Sequence, residues 1–262
     1  MKVGIALSGG GARGIAHLGV LKALEELGIT VDYIAGTSAG SIVGAFYANG
    51  FAPAEIMKIV SKTNLFQIVW PAFSWKGIFS MSRSEDVFRR HFKKDDFSAT
   101  KIPLKIVATN LNTGRPQVFE SGELVKPMMA SCCIPFVFDP IKIDGDLYVD
   151  GGIVNNLPVE SIRSACDVVI GVNASPVLKE EKLGGTKKMI ERISMVSLSA
   201  NVAKSASMCD LLIEPKGLRA FGTFDIKMGQ EIFDLGYEAT HYIFENQKDE
   251  AVIQQLLSTE VK

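Results

Sequence analysis

The sequence predicts an α/β fold of three layers, helices on both faces of a mostly parallel central sheet. Short β-rich runs alternate along the chain with stretches of helical period, the pattern of strands linked by crossover helices. Two glycine-rich turns each follow such a run and precede a helical stretch. No internal repeat, low-complexity tract or linker interrupts the alternation, so residues 1–262 are expected to form a single domain.

"KVGIAL" opens as a first strand. "RGIAHLGVLKALEELG" carries Ile15, Leu18, Leu21, Leu24 and Leu27 at a spacing of three and stops at Gly28, which predicts a helix. "VDYIA" reads as a second strand and "SAGSIVGAFYANG" as a helix closed by Gly50. Pro53 stands in the first turn of a third helix, "PAEIMKIVSKT". Thr63 to Arg83 lacks a clear period and reads as a long surface loop. "LKIVATN" and "PQVFES" flank "LNTGR" as a hairpin, and "PIKIDGDLYVDGG" is a second hairpin turning at Asp144-Gly145. "DVVIGVNAS" is a buried strand, and strand-like "DLLIEP" lies between helices near Lys182–Lys204 and Met228–Asn246.

Composition narrows the function. With 47% apolar and 22% charged residues in 262, the chain can bury a large core. A net charge of −1 offers no basic field for nucleic acid. Cys132, Cys133, Cys166 and Cys209 have no CxxC spacing and read as free thiols of a reducing compartment. His17, His91 and His241 lie away from any cysteine at ligand spacing, so no metal is expected. No signal peptide is visible. Tyr33 to Ala54 is free of charge and repeats GxxxG through Gly36, Gly40 and Gly44, yet its polar residues and glycine break favour a strand, a turn and a close-packed helix over a membrane span. A cytoplasmic protein with a peripheral membrane contact is the expectation.

Gly9-x-Gly11-x-x-Gly14 fits the dinucleotide fingerprint, which also wants an acid at the end of the second strand to hold a ribose. Asp32 has the right count but opens that strand instead of closing it, and Gly36-Thr37-Ser38 stands where the ribose would sit. Gly36-x-Ser38-x-Gly40, between a strand and a helix, has the context of a nucleophile elbow, or of a serine capping a glycine-rich turn. A serine hydroxyl needs a base. Each histidine falls within a helical run and reads as a surface or satisfied core residue. Asp150, ending a strand before Gly151 and Gly152, can accept the proton directly, or else simply stabilise its own turn.

Together these three motifs, Gly9–Gly14, Gly36–Gly40 and Asp150–Gly152, resemble the patatin-like phospholipase family, in the order of its oxyanion loop, elbow and base motif. "ASCCIPFVF" and "DGGIVNNLP" support the resemblance, and the first helix is similar to bacterial members and to the esterase domain of the neuropathy-target-esterase group. The similarity spans about residues 3 to 175. It implies a patatin-like fold and a cofactor-free Ser–Asp dyad hydrolase of lipid acyl esters: Ser38 as nucleophile, Asp150 as proton acceptor, and the amides around Gly10, Gly11 and Ala12 as oxyanion hole. The substrate would be a lipid or small ester. Arg13 reads as a tether of the glycine loop, with a substrate phosphate as the other reading. "LFQIVWPAFSWKGIFSM", residues 65–81, reads either as a flap touching the membrane surface or as a satellite core, and "AFGTFDIKMG" as the opposite rim. The alternatives are a nucleotide-binding oxidoreductase and a non-catalytic lipid-binding module. The sequence assigns no oligomeric state.

Overall fold

A computed structural model of the chain describes residues 1–62, 70–71, 79–80, 82–135, 137–176, 189, 196, 201–248 and 250–258. Its strands are β1 (Val3–Leu7), β2 (Tyr33–Thr37), β3 (Trp70–Pro71), β4 (Phe79–Ser80), β5 (Leu104–Asn110), β6 (Arg115–Phe119), β7 (Ile141–Ile143), β8 (Asp146–Asp150), β9 (Val168–Val172) and β10 (Leu211–Ile213). The α-helices are α1 (Ala16–Glu26), α2 (Ala39–Ala48), α3 (Pro53–Lys62), α4 (Ser82–Arg89), α5 (Val125–Ser131), α6 (Gly229–Asn246) and α7 (Ala251–Leu257), with residues 201–206 also helical. Apart from β3–β4, the strands join one sheet in the order β10-β9-β1-β2-β5-β8-β7, with β6 paired to β5. The run from β10 to β5 is parallel, while β6, β7 and β8 pair antiparallel.

Strand alternation divides the core into two faces. Ile5, Leu7, Ile34, Ile106 and Ile170 point into the larger cluster, shared with α1, α2, α3 and α6. Ala6, Ala35 and Val169 point the other way, against Leu157, Val159, Ile162 and Val202. Small residues on this second face let the irregular segment after β8 lie close to the sheet. At about 25 cal/mol per Å² of apolar area, both faces contribute heavily to stability.

Most predicted elements are present with ends moved by a few residues. The first helix begins later than the pattern indicates, because Gly11–Ile15 forms a 3-10 turn ahead of α1. The second strand runs Tyr33–Thr37, so Asp32 lies just before it, accepting a hydrogen bond from the Val3 amide at 2.7 Å. That is the end of the sheet away from both glycine turns. The charge-free stretch after Asp32 is a strand, a turn and a ten-residue helix. No helix among the described residues is long and apolar enough to cross a membrane. The long loop is interrupted by β3 and β4 and ends in α4, which begins at Ser82; its other residues, most of the segment 65–81, lie outside the described residues, as does most of the helix near Lys182–Lys204. The short helices α5 and α7 have no counterpart in the sequence reading.

The topology brings two distant segments together. Along β5, Val107 pairs with both Thr37 and Val118, and Ala108 with both Asp150 and Gln117. A strand has two edges and β6 holds one of them, so β2 and β8 share the other. They approach head-on, β2 rising to Thr37 and β8 descending to Asp150, and their last residues face successive positions of β5.

Candidate active site

Ser38 follows β2 and precedes α2 in a backbone conformation of φ 52 and ψ −124, a left-handed region that a residue with a Cβ rarely adopts. The flanking glycines make the turn possible. A Cβ on Gly36 would overlap the Gly40 carbonyl, and one on Gly40 would overlap the Leu7 carbonyl. The Ser38 amide donates to Ser131 Oγ at 2.8 Å, and Ser131 Oγ donates to the Val107 carbonyl at 2.6 Å, so α5 locks the elbow to β5. Ser38 is buried at the N-terminus of α2, where the helix dipole favours negative charge.

Ser38 Oγ donates to Asp150 Oδ2 at 2.7 Å. The other carboxylate oxygen, Oδ1, accepts the Gly152 amide at 2.8 Å, which fixes the rotamer. The backbone of Asp150 is held as well, its amide on the Cys133 carbonyl and its carbonyl on Thr109 Oγ1, both at 2.8 Å. Burial pushes this carboxyl up to about 6, against the opposing pull of the Ser38 hydroxyl and the Gly152 amide. The shift places a proton acceptor near the pH at which a base is both mostly ionised and still basic.

The glycine loop faces the same place. Gly11, with φ +57, Ala12 and Gly14 line one apolar cavity with Ser38. Gly9 is spent on structure, its amide donating to Asn156 Oδ1 at 3.1 Å and to the Asn156 carbonyl at 3.2 Å. The Ala12 amide donates to the Thr223 carbonyl at 2.8 Å, so of the three residues expected to frame an oxyanion hole this one is already engaged. The amides of Gly10 and Gly11 have no partner among the described residues, nor does that of Ala39 at the first position of α2. Arg13 is buried and donates from Nε to the Gly10 carbonyl at 3.3 Å, the geometry of a tether.

None of the histidines bonds to Ser38 or Asp150. His17 is fully buried, contrary to a surface position, and its Nε2 meets the Ser8 carbonyl at 2.8 Å. Burial drives its pKa down to about 4, so the ring is neutral and Nε2 is the donor. His91 packs edge-on against Phe46, and His241 lies 3.6 Å from Glu26. Among the described residues no group of His, Cys, Asp and Glu is arranged to hold a metal, and the described cysteines are free thiols. Thr223 and Ile226 belong to the segment expected as the opposite rim, and Ile226 lines the cavity with Ser38, whereas the sequence reading does not expect Ser131 and Asn156 as site residues. Both lie within stretches that carry the family resemblance, "ASCCIPFVF" and "DGGIVNNLP".

A serine on a strained strand–helix turn, an adjacent carboxylate and a glycine loop in a mostly parallel α/β sheet define the class, and the sequence agrees with it. Residues 5–162 match the patatin-like phospholipase family, and the chain belongs to that family. It is 27% identical to lysophospholipase nte1 of Aspergillus fumigatus over 99% of this chain and 19% of that one. It is 28% identical to patatin-like phospholipase domain-containing protein 6 of Homo sapiens over 98% of this chain and 21% of that one. An NTE family protein of Mycobacterium bovis is 35% identical over 66% of this chain and 49% of its own. The chain thus spans about a fifth of the length of the first two relatives. Among solved structures, VipD from Legionella pneumophila superposes with a TM-score of 0.52 at 16% identity, covering 99% of this chain and 67% of that one, which is a likeness of fold.

Proposed function

We propose that the chain is a serine acyl-ester hydrolase that cleaves a lipid ester, of the phospholipase A or lysophospholipase type, by a Ser38–Asp150 dyad and without a cofactor. The observation that carries the reading is the 2.7 Å bond to a buried carboxylate from the Oγ of Ser38, a residue that lines an apolar cavity. Asp150 accepts the hydroxyl proton as Ser38 Oγ attacks the ester carbonyl. The oxyanion takes the unpartnered amides of Gly10 and Gly11, with Ala39 at the helix N-terminus, and Asp150 returns its proton to the leaving alcohol. Water, deprotonated by the same carboxylate, then breaks the acyl-serine ester. Loss of one oxyanion donor typically costs about 10²–10³ in rate. Gly36 and Gly40 shape the elbow, and Gly151 and Gly152 the base turn. Residues 1–262 act as one hydrolytic domain in this reading, and the likeness to lysophospholipases favours a lipid with one acyl chain.

Hydrolysis of nitrophenyl butyrate by wild type, Ser38→Ala and Asp150→Asn tests it. Both variants are expected to fall by on the order of 10³ or more in kcat. A fluorophosphonate probe is expected to label wild type at Ser38 alone. Activity surviving in both variants removes the dyad, and failure of folded wild type to take the probe favours a non-catalytic lipid-binding module.

A further inference from the structure

We propose that Phe88, on α4, sets the length of the acyl chain the enzyme accepts; this rests on the reading of Ser38 as nucleophile. Ser38 and Gly11 line a cavity whose other described walls are apolar. Its described lining also takes in Ile15 and Leu18, Ile42 and Val43 of α2, Val60 of α3 and Phe88.

The order of these residues along the cavity follows from α2. Ile42 and Val43 lie one turn beyond Ser38. Phe46 lies eight residues beyond it, about 12 Å along the axis at 1.5 Å per residue. Phe88 packs on Phe46 with ring centroids 6.2 Å apart, and Phe92 packs on the same ring at 4.9 Å. This places Phe88 deeper than Val43, and among the described residues the ring of Phe46, itself packed on Phe92, stands against it. Phe46 and Phe88 are 0% and 2% exposed, so neither ring yields without opening the core.

Among the described residues no charged side chain lines the cavity, and the only hydroxyl there is that of Ser38. A headgroup therefore finds no partner inside. The group that fits, with its carbonyl carbon at Ser38, is one unbranched hydrocarbon chain. Each methylene that enters should raise kcat/KM up to about fourfold, the gain of burying one such group. The gain stops when the terminal methyl meets Phe88.

Nitrophenyl esters from acetate to palmitate, assayed one by one, read this directly. For wild type the rise of kcat/KM with chain length is expected to break at one length. Phe88→Leu and Phe88→Ala are expected to move the break to longer chains, and Val43→Phe, which fills the passage, to shorter ones. Phe88→Ala removes a buried ring and risks unfolding; Phe88→Leu and Val43→Phe keep the test alive. Calorimetric titration of the Ser38→Ala protein with the matching fatty-acid anions reads the same cavity without chemistry. A break unmoved by all three substitutions, in an enzyme that cleaves the esters, overturns the role of Phe88 and leaves the dyad standing. A break in binding that shifts with Phe88, in a wild type that cleaves no ester, upholds the length stop and overturns the dyad.

Discussion

The Gly9 amide is held by Asn156 alone, bonding to side-chain Oδ1 at 3.1 Å and to the main-chain carbonyl at 3.2 Å. Asn156 lies six residues after Asp150, so one side chain ties the loop carrying the carboxylate to the glycine loop that lines the cavity with Ser38. Asn156→Ala is expected to lower kcat by about ten- to a hundredfold with a smaller effect on KM, because a buried hydrogen bond of 1–3 kcal/mol is lost at a group that orients the donors. Asn156→Asp keeps an acceptor for Gly9 but sets a negative charge beside the developing oxyanion, so its kcat should fall further than its melting temperature indicates. Steady-state kinetics with thermal melts of both variants check this. Equal losses in kcat and stability for the two would argue for a merely structural role.

The carboxyl of Asp150 titrates at about 6 in the folded chain against an ordinary value of 3.8. A base must be ionised, so kcat/KM is expected to rise with pH through about 6 and to level off above it. The same shift bears on stability with the opposite trend. Between the two values the folded chain binds the proton more tightly than the unfolded one, so this residue's contribution declines as pH climbs from about 4 to about 6. Asp150→Asn should therefore gain in relative stability over that interval, which denaturant titrations at pH 4 and pH 7 measure.

His17 has the reverse linkage. Its folded pKa of about 4 lies below the ordinary 6.5. As pH falls from about 6.5 toward 4 the unfolded chain takes up a proton that the buried ring refuses, and stability is lost. Asp150 moves stability the other way over much of the same range. The effect is therefore read from melting curves as the difference between wild type and His17→Gln, whose relative stability is expected to rise as pH falls. His17→Gln also offers the Ser8 carbonyl another N–H donor.

The strain at Ser38 can be isolated by choosing what replaces it. Ser38→Ala and Ser38→Gly both delete the hydroxyl, but only glycine relieves the positive φ. Ser38→Gly is expected to be the more stable of the two by about 1 kcal/mol, the lower end of what such a conformation costs. Equal melting temperatures would mean that the turn stores no strain.

Much of this was legible in the residues because local chemistry determined it. GxSxG demands a tight strand–helix turn, and the turn is there with Ser38 at positive φ. Asp144-Gly145 demands a left-handed pair, and both residues have positive φ in the hairpin that delivers Asp150. What escaped was long-range. Nothing in the sequence near Ala12 announces that its amide meets a carbonyl at position 223, and of the two readings of His17, surface or core, only the fold decides for the core. Short α5 lacks enough turns to display a period, yet it supplies Ser131, which grips the elbow.

Because β2 and β8 end against successive residues of β5, the distance between Ser38 and Asp150 is measured by a single peptide unit of that strand. Helices may be exchanged, and the outer surface redecorated, without disturbing that spacing. An insertion of one residue between Val107 and Ala108 would separate the two groups by a strand step of about 3.3 Å and turn one of them to the opposite side. The central strand thus acts as a ruler, and its middle is where this architecture has the least freedom to drift.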